Sequence, residues 1–187
     1  MNFANKLTIL RILLVPVLLV LILISTPTTL WVALGIFLFA VATDIIDGYL
    51  ARTKGMLTKF GLFMDPLADK LLLCAVLIAF VELQWLPGWI AFIIISREFL
   101  VTGLRIIAIS AGVSIPADVL GKIKATFQET AAGFMIGFHA LDEMTSINFN
   151  RAWLLLPEVL FYLAVAATVI SGTAYLVKNF SVVKKDW

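Results

Sequence analysis

Charge is what this sequence has least of. Asp, Glu, Lys and Arg together make up 14% of its 187 residues, with one histidine and one cysteine. Soluble domains carry about 25% charged residues and about 45–50% apolar ones. At 62% hydrophobic residues and a mean hydropathy of +1.07, the chain could not cover its own surface with polar groups in water. The lone Cys74 sits in an apolar run and excludes an internal disulfide. A net charge of +2 is too small to argue for a nucleic-acid partner. No internal repeat, low-complexity tract or polar stretch of domain length interrupts the chain, so residues 1–187 read as one membrane domain.

What the chain does have is long apolar runs. A spanning helix needs roughly 20 mostly apolar residues. Six segments approach that length: about 7–24, 29–52, 61–81, 89–111, 121–141 and 154–177. The expected fold is all-α, with six transmembrane helices preceded by a short interfacial helix over residues 1–6. Ser25-Thr26-Pro27 lacks the small-x-small pattern of a signal-peptidase site, so the first helix is expected to be retained. Turn residues divide the segments at Pro27, at Thr53-Lys54-Gly55, at Leu86-Pro87-Gly88, at 112–118 with Pro116, and at 142–150.

Basic residues gather at one set of helix ends: Lys6, Arg11, Arg52, Lys54, Lys59, Lys70, Lys122, Lys124, Lys178, Lys184 and Lys185. The opposite loops hold Glu82, Asp142 and Glu143, with Arg151 the one cation. By the positive-inside rule, both termini face the cytoplasm across the cell (inner) membrane. Trp31, Trp85, Trp89 and Trp153 fall near the other interface, as aromatic belts do.

A charged side chain at a helix centre costs about 2.5–3.5 kcal/mol on insertion scales, so those present are informative. Asp44, Asp47, Gly48 and Ala51 are spaced i, i+3, i+4, i+7 and share one helical face. Gly61, Asp65 and Asp69 recur every four residues and share another. The connecting loop is short, which predicts that the second and third helices are antiparallel neighbours with converging acidic faces. Four such carboxylates repel unless a cation joins them. Oxygen ligands of this kind suit hard divalent ions, Mg2+ or Mn2+, and two ions sharing carboxylates suit phosphoryl transfer. Pro66 predicts that the third helix begins near Asp65 or kinks there.

The series Asp44-x2-Asp47-Gly48-x2-Ala51-Arg52-x8-Gly61-x3-Asp65-x3-Asp69 resembles, position for position, the signature of the CDP-alcohol phosphotransferases. That resemblance implies transfer of a phosphoalcohol from a CDP-linked donor to an acceptor hydroxyl, with CMP leaving. It implies that Asp44, Asp47, Asp65 and Asp69 hold the metal, and that Asp69 is the general base. Gly48, Ala51, Arg52 and Gly61 would then lie along the CDP moiety. Asn5-x2-Thr8-x2-Arg11 resembles a second element of the family. It makes Asn5 and Thr8 candidate donor contacts, against the plainer reading of a helix cap followed by a snorkelling Arg11.

The run from Ser96 to Arg105 and the run from Gly121 to Gln128 are similar to the subfamily whose acceptor is sn-glycerol 3-phosphate and whose donor is CDP-diacylglycerol. A dianionic phosphate calls for fixed cations, and Arg105, Lys122, Lys124, Arg97 and Lys59 are the candidates. For the lysines, topology and contact with anionic lipid is the competing reading. The family also implies a homodimer. Inositol phosphate, serine or another alcohol remains open as acceptor, and a cation channel or transporter is the rival of another class. His139 reads as structural, Glu129 as a partner for a basic neighbour one turn before it, and Phe134, Met135 and Phe138 as lipid-facing or core filler.

Overall fold

The computed structural model describes residues 3–53, 59–110, 119–144 and 151–184. They form six helices: α1 (Phe3–Ile24), α2 (Pro27–Thr53), α3 (Lys59–Glu82), α4 (Gly88–Ser110), α5 (Val119–Met144) and α6 (Arg151–Lys184). No strand occurs among the described residues.

Local chemistry accounts for the breaks. Thr26 caps α2: its hydroxyl accepts from the Thr29 amide at 3.3 Å, and the Thr29 hydroxyl accepts from the Thr26 amide at 3.0 Å. This is a capping box with threonine in the third helical position, and Pro27 occupies the first, where a missing N–H costs nothing. Ser25 turns the chain before it with φ 53°. At the end of α3, Gln84 adopts φ 59°, and the amides of Trp85 and Leu86 both return to the Phe80 carbonyl. Such back-bonds satisfy carbonyls that a helix end leaves open.

α1 is continuous from Phe3, so among the described residues the expected interfacial segment and the first span lie in one helix. No glycine or proline stands between Phe3 and Ile12 to break it. α3 starts at Lys59 and runs through Pro66, so of the two readings of that proline the helix start near Asp65 falls.

The helices close into a ring in the order α1–α2–α5–α6–α4–α3 and back to α1. Among the described residues, α2 and α3 both pack on α1. The residues expected to pair the second and third helices directly, Asp47, Gly48, Ala51, Gly61 and Asp65, have side chains outside the described residues.

The ring is apolar outside. Leu13, Ile45, Phe92, Phe99 and Val177 are among the large side chains it exposes. Its buried set, by contrast, includes Thr8, Arg11, Thr43, Lys124, Gln128, Thr168 and Ser171. Polar inside and apolar outside is the arrangement that a hydrocarbon solvent favours. Among the described residues, α1, α2 and α6 contain spans long and apolar enough to cross a membrane, at 6–24, 27–46 and 155–178. The helices outside that set, α3, α4 and α5, carry Asp69 and Lys70, Arg97 and Glu98, and Lys124 and Glu129 within their lengths.

One half of the ring is sealed. Leu18, Ile22, Leu77, Phe80, Ile90, Met135 and Phe161 are buried there, with Phe80 edge-on to Phe161 at 6.0 Å. Trp85 stacks on His139 at 3.7 Å at that end, which gives His139 a structural partner. Small residues bring α5 close to α2. A Cβ built on Gly133 lies 3.6 Å from Phe37, and one on Gly137 lies 3.4 Å from Leu34. Close approach of this kind supplies the van der Waals contact that holds membrane helices together.

Candidate functional site

The other half of the ring is polar, and each of its helices contributes. From α1, Arg11 is 1% exposed, and its Nη1 donates to Asp44 Oδ1 of α2 at 2.5 Å. The Asp44 side chain is 40% exposed, so one face of the carboxylate is held while another stays open. Asp69 of α3 is accessible, yet it feels the charges of Asp44, Arg11, Lys70 and Glu98 from three other helices and its own. An accessible group so surrounded lines a recess inside the ring. Glu129 of α5 faces the same recess and interacts with both Asp69 and Asp44. Its sequence reading as a partner for a basic neighbour covers only part of its surroundings.

A second cluster adjoins the first. Glu98 Oε1 of α4 accepts from Arg97 Nη1 at 3.1 Å and also from the Lys124 ammonium of α5. Arg97 Nη2 donates to Ser171 Oγ of α6 at 3.2 Å. Thr168, one turn away on α6, accepts from the Gln128 amide of α5 at 2.9 Å and donates to the Ala164 carbonyl at 2.6 Å. Lys70 of α3 interacts with Glu98, Asp69, Arg105 and Arg97, which joins the two clusters electrostatically.

Several sequence-derived candidates therefore converge: Asp44 with Asp69, and Arg97 with Lys124 on Glu98, while Arg105 is exposed and within range of Lys70. Lys122 is exposed on α5. Thr8 is fully buried one turn before Arg11. The side chains of Asn5, Asp47, Gly48, Ala51, Arg52, Lys59, Gly61 and Asp65 lie outside the described residues.

Four participants escaped the sequence reading. Arg11 looked like a snorkelling cation, Lys70 like a topology signal, Glu129 like a neutralising neighbour, and Ser171 carried no signal at all. The first three were flagged only by the general expense of charge within a membrane.

The donor set fits a hard divalent ion in kind: carboxylate oxygens from facing helices with their outer faces open. Among the described side chains, no three acidic, His or Cys groups are clustered tightly enough to hold one. Asp44 and Asp69 are the described part of the expected four.

A ring of helices apolar on the outside, with carboxylates and fixed cations converging in a recess at one end, defines a membrane protein built to handle a charged group at a lipid surface. The chain belongs to the CDP-alcohol phosphatidyltransferase family, whose profile matches residues 1–173. It is similar to a CDP-diacylglycerol–glycerol-3-phosphate 3-phosphatidyltransferase of Bacillus subtilis (strain 168), at 36% identity over 195 aligned positions. That match covers 98% of this chain and 97% of the relative. Enzymes of the same name from Rickettsia bellii (strain RML369-C) and Mycoplasma pneumoniae (strain ATCC 29342 / M129 / Subtype 1) are 34% and 32% identical. They match over 93% and 86% of this chain, and 93% and 72% of their own lengths.

Proposed function

We propose that this chain transfers the phosphatidyl group of CDP-diacylglycerol to sn-glycerol 3-phosphate, giving phosphatidylglycerophosphate and CMP. The observation that carries the reading is the meeting of two unlike sites in one recess. Asp44 and Asp69 supply oxygen ligands and a base, while Lys70, Arg97, Arg105 and Lys124 supply positive charge within electrostatic range of Asp69 or of its neighbours. A donor pyrophosphate suits the first, and a phosphorylated alcohol suits the second. Relatives with this activity match nearly the whole chain.

Asp44, Asp47, Asp65 and Asp69 would hold two divalent ions, Mg2+ or Mn2+. Bound there, the ions neutralise the charge of the pyrophosphate. The residues of the chain do the rest. Asn5, Thr8, Gly48, Ala51, Arg52 and Gly61 border the CDP moiety. Asp69 accepts the proton of the acceptor hydroxyl as that oxygen bonds to the lipid-linked phosphorus. The bond from this phosphorus to the bridging oxygen breaks, and the electron pair leaves with CMP. Arg105, Lys124, Lys122, Arg97 and Lys59 bind the acceptor phosphate. Positioning and charge neutralisation carry most of the catalysis, since an aspartate is a weak base toward an alcohol.

All six helices cross the cell membrane in this reading, with both termini and the recess on the cytoplasmic side, and two copies associate as a homodimer. The apolar outer face of the ring supports the first part, and the one-sided distribution of Lys and Arg supports the second.

The test is CMP release by the purified protein from CDP-diacylglycerol with a panel of acceptors. Glycerol 3-phosphate is expected to be used at least about tenfold better in kcat/KM than serine or inositol phosphate, a difference of about 1.4 kcal/mol. Preference for either of the others overturns the acceptor assignment. Cross-membrane ion flux without CMP release would favour the transport reading, which the sealed half of the ring argues against.

A further inference from the structure

Three cations act on a single Glu98 carboxylate. Arg97 and Lys124 bond to one of its oxygens. Lys70 interacts with it from α3, and Arg105 lies within range of Lys70. Glu98 and Lys124 are mostly buried, at 14% and 4% side-chain exposure. Asp69 and Glu129 also act on Lys124, so its charge is balanced in a membrane interior, where uncompensated charge is expensive. Cations fixed in this way suit a dianionic ligand. The geometry also shows what keeps the cations in place. Without Glu98, Arg97 and Lys124 would repel one another, and among the described residues no other carboxylate bonds to either.

Arg97 is held from the far side as well. Ser171 accepts its Nη2, and the missing side chain of Gly172 admits its stem: a Cβ there would lie 3.0 Å from Arg97 Cγ. The pair Ser171-Gly172 on α6 therefore shapes the seat of a cation on α4.

We propose that Glu98 is a positioning residue for the acceptor. Its carboxylate fixes Arg97 and Lys124 at one spacing, with the remaining N–H groups of Lys124 directed to the acceptor phosphate, and Gly172 is the clearance that lets Arg97 reach that geometry. The inference rests on glycerol 3-phosphate being the acceptor.

Steady-state CMP release by full-length protein in lipid–detergent micelles tests it, with the two substrates varied separately. Glu98→Gln raises the KM for glycerol 3-phosphate about tenfold, while the KM for CDP-diacylglycerol stays within about twofold, because only one substrate uses the cluster. Gly172→Ala keeps every charge and shifts Arg97 alone, and it raises the acceptor KM about threefold with the same selectivity. Glu98→Asp recovers part of the loss. An acceptor KM that falls or holds in Glu98→Gln overturns the inference, since Glu98 then competes with the phosphate or ignores it. Equal changes in both KM values also overturn it, as a general structural role predicts them. Should Glu98→Gln fail to fold, Gly172→Ala decides on the same criteria. Absence of CMP release from unsubstituted protein with glycerol 3-phosphate would instead remove the acceptor reading beneath it.

Discussion

The Arg11 guanidinium lies 2.5 Å from Asp44 Oδ1, across the seam between α1 and α2. Arg11 is buried and Asp44 is half open, so the pair belongs partly to the protein interior and partly to the recess. Asp69 feels both partners. Arg11 therefore balances some of the negative charge that converging carboxylates accumulate, and it does so from the helix on which both α2 and α3 pack. It also fixes which Asp44 oxygen is left for a ligand.

Replacing Arg11 removes that balance. Exposed pairs contribute about 0–1 kcal/mol, and breaking a fully buried one costs about 3–5 kcal/mol. With one partner 40% exposed, Arg11→Met is expected to cost about 1–3 kcal/mol. Thermal unfolding in micelles measures it, and an unchanged midpoint would mean that the pair contributes nothing.

Divalent-ion removal is the next prediction. Chelator-treated protein is expected to lose CMP release by at least about a hundredfold, and Mg2+ or Mn2+ to restore it. Asp69→Asn keeps the shape of the site but loses a base and a ligand. It is expected to bind donor and to lose turnover by about a thousandfold. Full turnover in Asp69→Asn would exclude it as the base.

The α2–α5 seam tests packing independently of chemistry. The 3.4 Å approach of Leu34 to a Cβ on Gly137 leaves no room for a branched side chain. Gly137→Val is expected to destabilise by about 1–3 kcal/mol, and Gly133→Ala, at ordinary contact distance from Phe37, by less. Equal effects in an unfolding series would show that the seam is looser than the structure has it.

Gln128 and Thr168 form a buried side-chain bond between α5 and α6. Thr168→Val leaves the Gln128 amide without this partner, at a cost of about 1–3 kcal/mol. Gln128→Leu combined with Thr168→Val is expected to be more stable than Thr168→Val alone, since both polar groups are then gone. Strict additivity across the double-mutant cycle would show that the two side chains are uncoupled.

Much of this protein is legible along the chain. A shortage of charge and a run of apolar segments establish a helical membrane protein, because lipid offers no other partner for a surface this apolar. The 44–69 spacing puts its carboxylates on two helical stripes, since the periodicity of a helix is local and needs no tertiary information. Local rules, however, do not say which helix lies beside which. Both α2 and α3 pack on α1, and its Arg11 meets Asp44 33 residues away. Glu98 and Lys124 meet across 26 residues for the same reason. Arg11, Lys70 and Glu129 each look like an ordinary boundary charge until the ring closes. Composition and helical period thus settle the solvent and the carboxylate stripes. The order of helices around the ring decides which charges are partners, because buried charges must find one another across the fold and their sequence separation carries no record of it.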